Sequence, residues 1–158
     1  MKVASRMNSP DNTLALGAAV GLAVHSPYHR KWKVASVERL IMSAIELNQF
    51  VLYTDLDRPV GFVSYAFLSP DVERKILGRT GSMERADWNS GPQPWVIDVL
   101  APFGHGPSIV TDLRKTQFPD SIVMSIRRTT DGAIRRVNMW RGANVEAIPS
   151  QFRDRLGL

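Results

Sequence analysis

The stretch "FVLYTDLDRPVGFVSYAFL", residues 50–68, decides the fold. Phe50–Thr54 and Val60–Leu68 are runs of β-branched and aromatic residues, and the polar segment Asp55–Pro59 between them has the make-up of a turn. Such a pattern predicts two antiparallel strands. Upstream, Val37, Leu40, Ile41, Ala44 and Ile45 repeat at the spacing of one apolar helical stripe. Ser36 is the expected cap, and Asn48-Gln49 ends the helix just before the first strand. Downstream, Ser69-Pro70-Asp71 combines a capping hydroxyl, a first-turn proline and an acidic residue, which predicts a helix through Leu77.

Further out, "TLALGAAVGLAV" (13–24) predicts another helix. Asp11, Asn12 or Thr13 can cap it, and Ser26-Pro27 follows its end. Its composition, behind Lys2 and Arg6, is similar to the apolar core of a signal peptide. It is shorter than the roughly 20 residues a bilayer requires, so we read it as a buried helix. Gly17 and Gly21 share a face and are expected to allow close packing. Residues 78–94 read as loop with one helical turn near Glu84–Trp88, and residues 95–104 as an apolar strand. Residues 108–117 read as a helix stopped by Pro119. A hairpin follows around Asp131-Gly132, a pair suited to a tight turn.

The sum is α+β: one domain with a mixed sheet of about five strands flanked by helices. We expect a flexible arm over residues 1–12, a domain over 13–145 and a short tail over 146–158. Twenty Lys and Arg against fifteen Asp and Glu leave 158 residues with a net charge of +5, which favours acidic partners. There is no cysteine, so disulfides, thiolate metal sites and a cysteine nucleophile are excluded.

Asp98 interrupts "PWVIDVLAPF" (94–103). A carboxylate in an apolar strand is costly unless paired. A structural bridge to an arginine and a catalytic pairing with a histidine both answer that need. His105 lies between Gly104 and Gly106 and reads as a loop residue, whereas His25 belongs to the end of the first helix. His29 follows Pro27 among cationic and aromatic neighbours. His25 and His29 have the spacing of a helical zinc pair, but Pro27 breaks the helix between them and no Glu or Cys nearby completes a site, so no metal is expected. "APFGHGPSIVTDLRK" (101–115) reads as strand, glycine turn and helix. That geometry can hold a phosphate, through Gly104, Gly106 and Ser108. Arg127-Arg128 and Arg135-Arg136 flank the hairpin turn. No aromatic RNA-reading signature accompanies them, so nucleic acid is not expected as a partner.

Five segments, "SPYHRKW" (26–32), "AIELNQF" (44–50), "DWNSG" (87–91), "WVIDVLAPFG" (95–104) and "FPD" (118–120), have the order and approximate spacing found in the RTX-toxin-activating lysine acyltransferases. The chain resembles that family over roughly residues 14–140. The resemblance implies a GNAT-like fold and a cytoplasmic, homodimeric enzyme without stable membrane insertion. It would move a fatty acyl chain from the 4′-phosphopantetheine thioester of acyl carrier protein to internal lysines of an RTX protoxin. It also implies that His29 and Asp98 are catalytic, with a lesser part for Ser26. Gly-His-Gly (104–106) departs from the more acidic stretch associated with relatives.

The chemistry is coherent with those residues. A lysine amine, with an isolated pKa of about 10.4, must shed a proton before it can form an amide. An imidazole can accept it, and a carboxylate on the other ring nitrogen would orient the ring. Direct attack by the amine and an acyl-histidine route both fit these residues. Two other readings stay open: a GNAT enzyme using acyl-coenzyme A on a small amine, and a non-catalytic basic adaptor for nucleic acid or an acidic protein. Convergence of His29 and Asp98, 69 positions apart in sequence, separates the adaptor from both enzymes.

Overall fold

A computed structural model describes residues 2–78 and 81–156. One mixed sheet organises them, with strand order following chain order: β1 (Ser5–Arg6), β2 (Phe50–Asp55), β3 (Arg58–Leu68), β4 (Gln93–Leu100), β5 (Ile122–Arg128) and β6 (Ile134–Arg141). Neighbours are antiparallel except β4 and β5, which run parallel. The sheet thus has six strands where about five were expected, and the α+β class holds. The additional strand is β1. It lies in the stretch expected to be a loose arm, and Ser5 and Arg6 pair with Thr54 and Tyr53 of β2. The Arg6 guanidinium also donates to Asp112 at 2.6 Å.

Residues 50–68 form the expected hairpin, with a tighter turn than their composition suggested. Strand pairing reaches Asp55↔Arg58, leaving Leu56 and Asp57 as its tip. Both have positive φ, 47° and 63°, which is the backbone of a two-residue hairpin turn. Alternate residues along β2 and β3 then face opposite helical layers, as the period of two requires. Val51, Tyr53, Val63 and Tyr65 pack with Ile109 and Leu113, from α5 (Gly106–Asp112) and the π-helical turns Leu113–Gln117 that continue it. Leu52 and Phe62 pack with Ala15, Ala19 and Leu22 of α1 (Asn12–Val24), which Asp11 caps. Ala66, Leu68 and Trp95 pack with Ala44 and with Val72 and Ile76. Val72 and Ile76 belong to α4 (Pro70–Leu77), capped by Ser69 as its sequence predicts.

The stripe from Val37 to Ile45 is helical but irregular. α2 (Val34–Val37) widens into π turns at Glu38–Met42 and narrows again into α3 (Ser43–Glu46). The run starts after Lys33, with no side-chain cap, rather than at Ser36. Gly17 and Gly21 are a clearer correction, because a Cβ on either would meet nothing within 4 Å. They lie on the open side of α1, where Leu14, Val20 and Val24 are also exposed. The expected tail contains α6 (Ser150–Leu156), and Phe152 packs on the Trp95 cluster. No helix among the described residues is long and apolar enough to cross a membrane.

Two departures from a regular sheet position the site. The β3–β4 ladder pairs Tyr65 with Val96 but Ser64 with Asp98. Ile97 is therefore an extra residue, a bulge, and bulges re-aim the side chains that follow. Val96 packs beneath α5. Without the bulge, Asp98, two residues later, would share that face. With it, Asp98 turns to the side of α1, in step with Leu100. The second departure is a fork. The parallel β4–β5 ladder consists of Trp95↔Met124 and Val96↔Ser125, while β4 continues against β3 to Phe62↔Leu100. Beyond Val96 the two parallel strands leave an opening in the sheet.

Candidate active site

Pro27 and the end of α1 bring the site's imidazole into place. His25 closes the helix with bonds back to Ala23 and Leu22, and the chain turns through Ser26-Pro27 into a short 3-10 helix, His29–Lys31. Proline cannot continue the helical ladder, so the chain changes direction here. Because α1 packs on Phe62 and Leu100, its C-terminal end lies beside β4. His29 therefore reaches the fork, and its Nε2 stands 3.0 Å from Oδ1 of Asp98. The two side chains are nearly buried, 9% and 11% exposed. The partner of Asp98 is thus a histidine, not the arginine of the structural alternative. The Asp98 backbone N–H also donates to Ser64 Oγ at 3.2 Å, fixing the strand at that point.

The other ring nitrogen of His29 is also engaged. Nδ1 lies 2.6 Å from Ser26 Oγ, and the His29 backbone N–H donates to the same oxygen at 3.4 Å. An oxygen that accepts from the backbone is free to donate its own proton to Nδ1. An ionised Asp98 in turn requires the ring proton on Nε2. With Asp98 as a carboxylate, the tautomer that fits both contacts carries Nε2–H toward Asp98 and turns the Nδ1 lone pair to the Ser26 hydroxyl. The ring is further clamped by Tyr28 and Trp32, with centroids 4.8 and 4.7 Å away.

Tyr28, Trp32 and Arg128 join the site although the sequence reading selects none of them for it: the first two lie in the 26–32 motif and the third in the basic hairpin. Tyr28 shares the 26–32 segment with His29, and its aromatic character beside a histidine was the available signal. Burial raises the Tyr28 phenol pKa, and the Asp98 carboxylate raises it further, against a lowering by Arg128. The phenol thus stays protonated as a neutral wall of the site. Arg128, from the basic hairpin, stands at the fork. Arg127 lines one side of it as well, directly across the β5–β6 ladder from Arg136.

Two hollows meet at the fork, sharing Tyr28, Val96, Ile97, Asp98, Ile126 and Arg128. One, of about 500 Å³, opens on the α5 side and reaches Gly106, Val110 and Trp140. The other, of about 230 Å³, extends on the α4 side. The remaining residues selected from sequence are only partly gathered here. Gly106 lines the larger hollow, but the Ser108 hydroxyl is spent on the His105 carbonyl at 3.0 Å. Gly104, at φ +89°, shapes the turn, and the carbonyl of neighbouring Phe103 accepts from Lys2 Nζ at 2.6 Å. His105 lies in the turn, as expected, and is buried there, with Nε2 3.3 Å from Asp55. His25 packs against Phe103, away from the pair.

The family model described as HlyC, RTX toxin acyltransferase family, matches residues 8–141. The chain is 39% identical over 104 residues to the lysine-acyltransferase RtxC of Vibrio cholerae, covering 65% of this chain and 68% of that protein. It is 36% identical over 131 residues to the protein-lysine myristoyltransferase HlyC of Escherichia coli, covering 83% and 76%. With the protein-lysine palmitoyltransferase CyaC of Bordetella bronchiseptica, identity is 33% over 150 residues, covering 93% and 80%.

Proposed function

The chain belongs to the RTX toxin acyltransferase family, and on that footing we propose that it moves a fatty acyl chain from acyl carrier protein to internal lysines of an RTX protoxin. The observation that carries this reading is the Ser26–His29–Asp98 chain of hydrogen bonds at the fork between β4 and β5. Distant parts of the sequence converge there on a base and the carboxylate that orients it. A non-catalytic adaptor has no use for such an arrangement.

In the reaction, the lysine nitrogen attacks the thioester carbonyl, the C–N bond forms and the C–S bond breaks. The attacking nitrogen gives its proton toward His29, and the departing thiolate takes one back, so a thiol and an amide result. Asp98 stabilises the imidazolium that exists between those transfers. Because Nδ1 faces Ser26, the hydroxyl passes the proton: it yields its own to Nδ1 and receives that of the amine. Both ring nitrogens are held, so acylating the imidazole would sacrifice one of these bonds. Direct attack is the simpler route.

The larger hollow suits the pantetheine arm of the donor. It is bounded by Gly106 at the start of α5 and by Arg127 and Arg128, whose charge complements a phosphate. Gly104 and Ser108 act there by shaping the turn. The excess of basic residues favours an acidic carrier. A cytoplasmic, homodimeric enzyme completes the proposal.

Intact-mass analysis of an RTX protoxin co-expressed with this protein tests the reading. The expected result is a fatty-acyl increment that peptide mapping places on lysine, reproduced in vitro with acyl carrier protein as donor. An unmodified toxin would refute the activity. Transfer from acyl-coenzyme A alone, onto small amines, would favour the other enzyme reading. In the same assay Ser26→Ala should lower turnover by about tenfold or more while leaving measurable transfer, since water can replace a relaying hydroxyl. Complete loss would instead indicate an acyl-serine intermediate.

A further inference from the structure

We propose that the hollow on the α4 side receives the acyl chain, and that Met83 and Ile76 set the chain length this enzyme prefers. The inference rests on the acyl-transfer reading above and assigns a part of the site that the chemistry there does not use.

The hollow begins at Asp98 and Tyr28 and runs along β4 toward Trp95. Trp95 precedes Asp98 by three residues, about 10 Å at strand spacing. Leu40, Ile76, Met83, Trp95 and Ile126 form its walls, and Met83 and Ile76 belong to the same buried cluster as Trp95. Arg39 and Ser82, polar residues on this side, are partly exposed and exposed respectively and so stand where the hollow meets solvent. A hollow that starts at the proposed catalytic carboxylate and leads over the apolar side chains of Ile76, Met83 and Trp95 fits a saturated chain, whose affinity grows by about fourfold per buried methylene.

The fork explains how one donor can occupy both hollows. The bond between chain and pantetheine arm is the thioester, which must sit beside His29. The arm then lies on the α5 side, where Gly106 and the two arginines are. The acyl chain passes between β4 and β5 to the other face, through the opening left when their ladder stops at Val96↔Ser125. A lysine stem is the competing occupant. It is short and ends in a cation, so it has little use for an apolar depth closed by Trp95.

The test measures kcat/KM with acyl carrier protein charged with octanoyl, dodecanoyl or hexadecanoyl chains and a protoxin fragment as acceptor. Met83→Trp should lower the ratio of hexadecanoyl to octanoyl transfer by about fifteenfold, the worth of two methylenes. Met83→Ala should raise that ratio, and Ile76→Phe should lower it, so one poorly folding variant does not decide the matter. Unchanged ratios in folded, active variants would overturn the assignment. So would an altered KM for the acceptor with the ratios fixed, which would place the lysine in this space. Absence of all transfer by the unaltered protein would count against the proposed function instead.

Discussion

His29→Ala is expected to abolish lysine acylation: turnover should fall by about 10²–10⁴-fold, the usual contribution of a general base. The reason is geometric. No other imidazole among the described residues stands at the fork, since His25 packs on Phe103 and His105 pairs with Asp55. Because the ring fills a space between Tyr28 and Trp32, alanine also removes packing. His29→Gln is the companion variant, keeping a polar side chain toward Asp98 while supplying no base. Both should be inactive, with His29→Gln showing a near-normal circular dichroism spectrum and melting temperature. Turnover above about a tenth of the original in either would remove His29 from the mechanism.

Asp98→Asn is expected to cost about 10³–10⁴-fold in turnover with little change in stability. An asparagine fits the same space and keeps the backbone bond to Ser64. Its amide can donate to Nε2, which drives the ring proton to Nδ1. The nitrogen facing Ser26 is then no longer basic, and no carboxylate balances an imidazolium. If Asp98 served stability alone, the variant would instead melt several degrees lower with turnover per folded molecule retained. Breaking a buried ion pair commonly costs about 3–5 kcal/mol. Activity and melting curves on the same preparation separate these outcomes.

Much of this could be read from the chain. The hairpin at 50–68, the capped helix at 70–77 and the helix at 12–24 rest on local patterns: alternation, a Ser-Pro-Asp start, an Asp before an apolar run. Asp98 stood out because an apolar strand carrying one charge is an energetic anomaly. What escaped depends on distant partners. Ser5–Arg6 is a strand only because β2 offers its edge. The π turns at Glu38–Met42 preserve an apolar stripe that an ordinary helix would also show. Ile97 looks like any strand residue, and nothing local marks it as surplus. The Ser26 contact needed the tight turn after Pro27, and Gly17 and Gly21 promised packing on a face that the fold leaves open.

The surplus residue in β4 makes the enzyme sensitive to counting. Adding or deleting one amino acid between Val96 and Asp98 would leave an apolar strand that any composition-based comparison would pass as normal. Yet the carboxylate would swing to the wrong side, beneath α5, with the imidazole stranded opposite. Apolar substitutions at position 97 should thus be tolerated better than any change in length, and the proposed site depends on the numerical spacing from Trp95 to Asp98 as much as on the residues themselves.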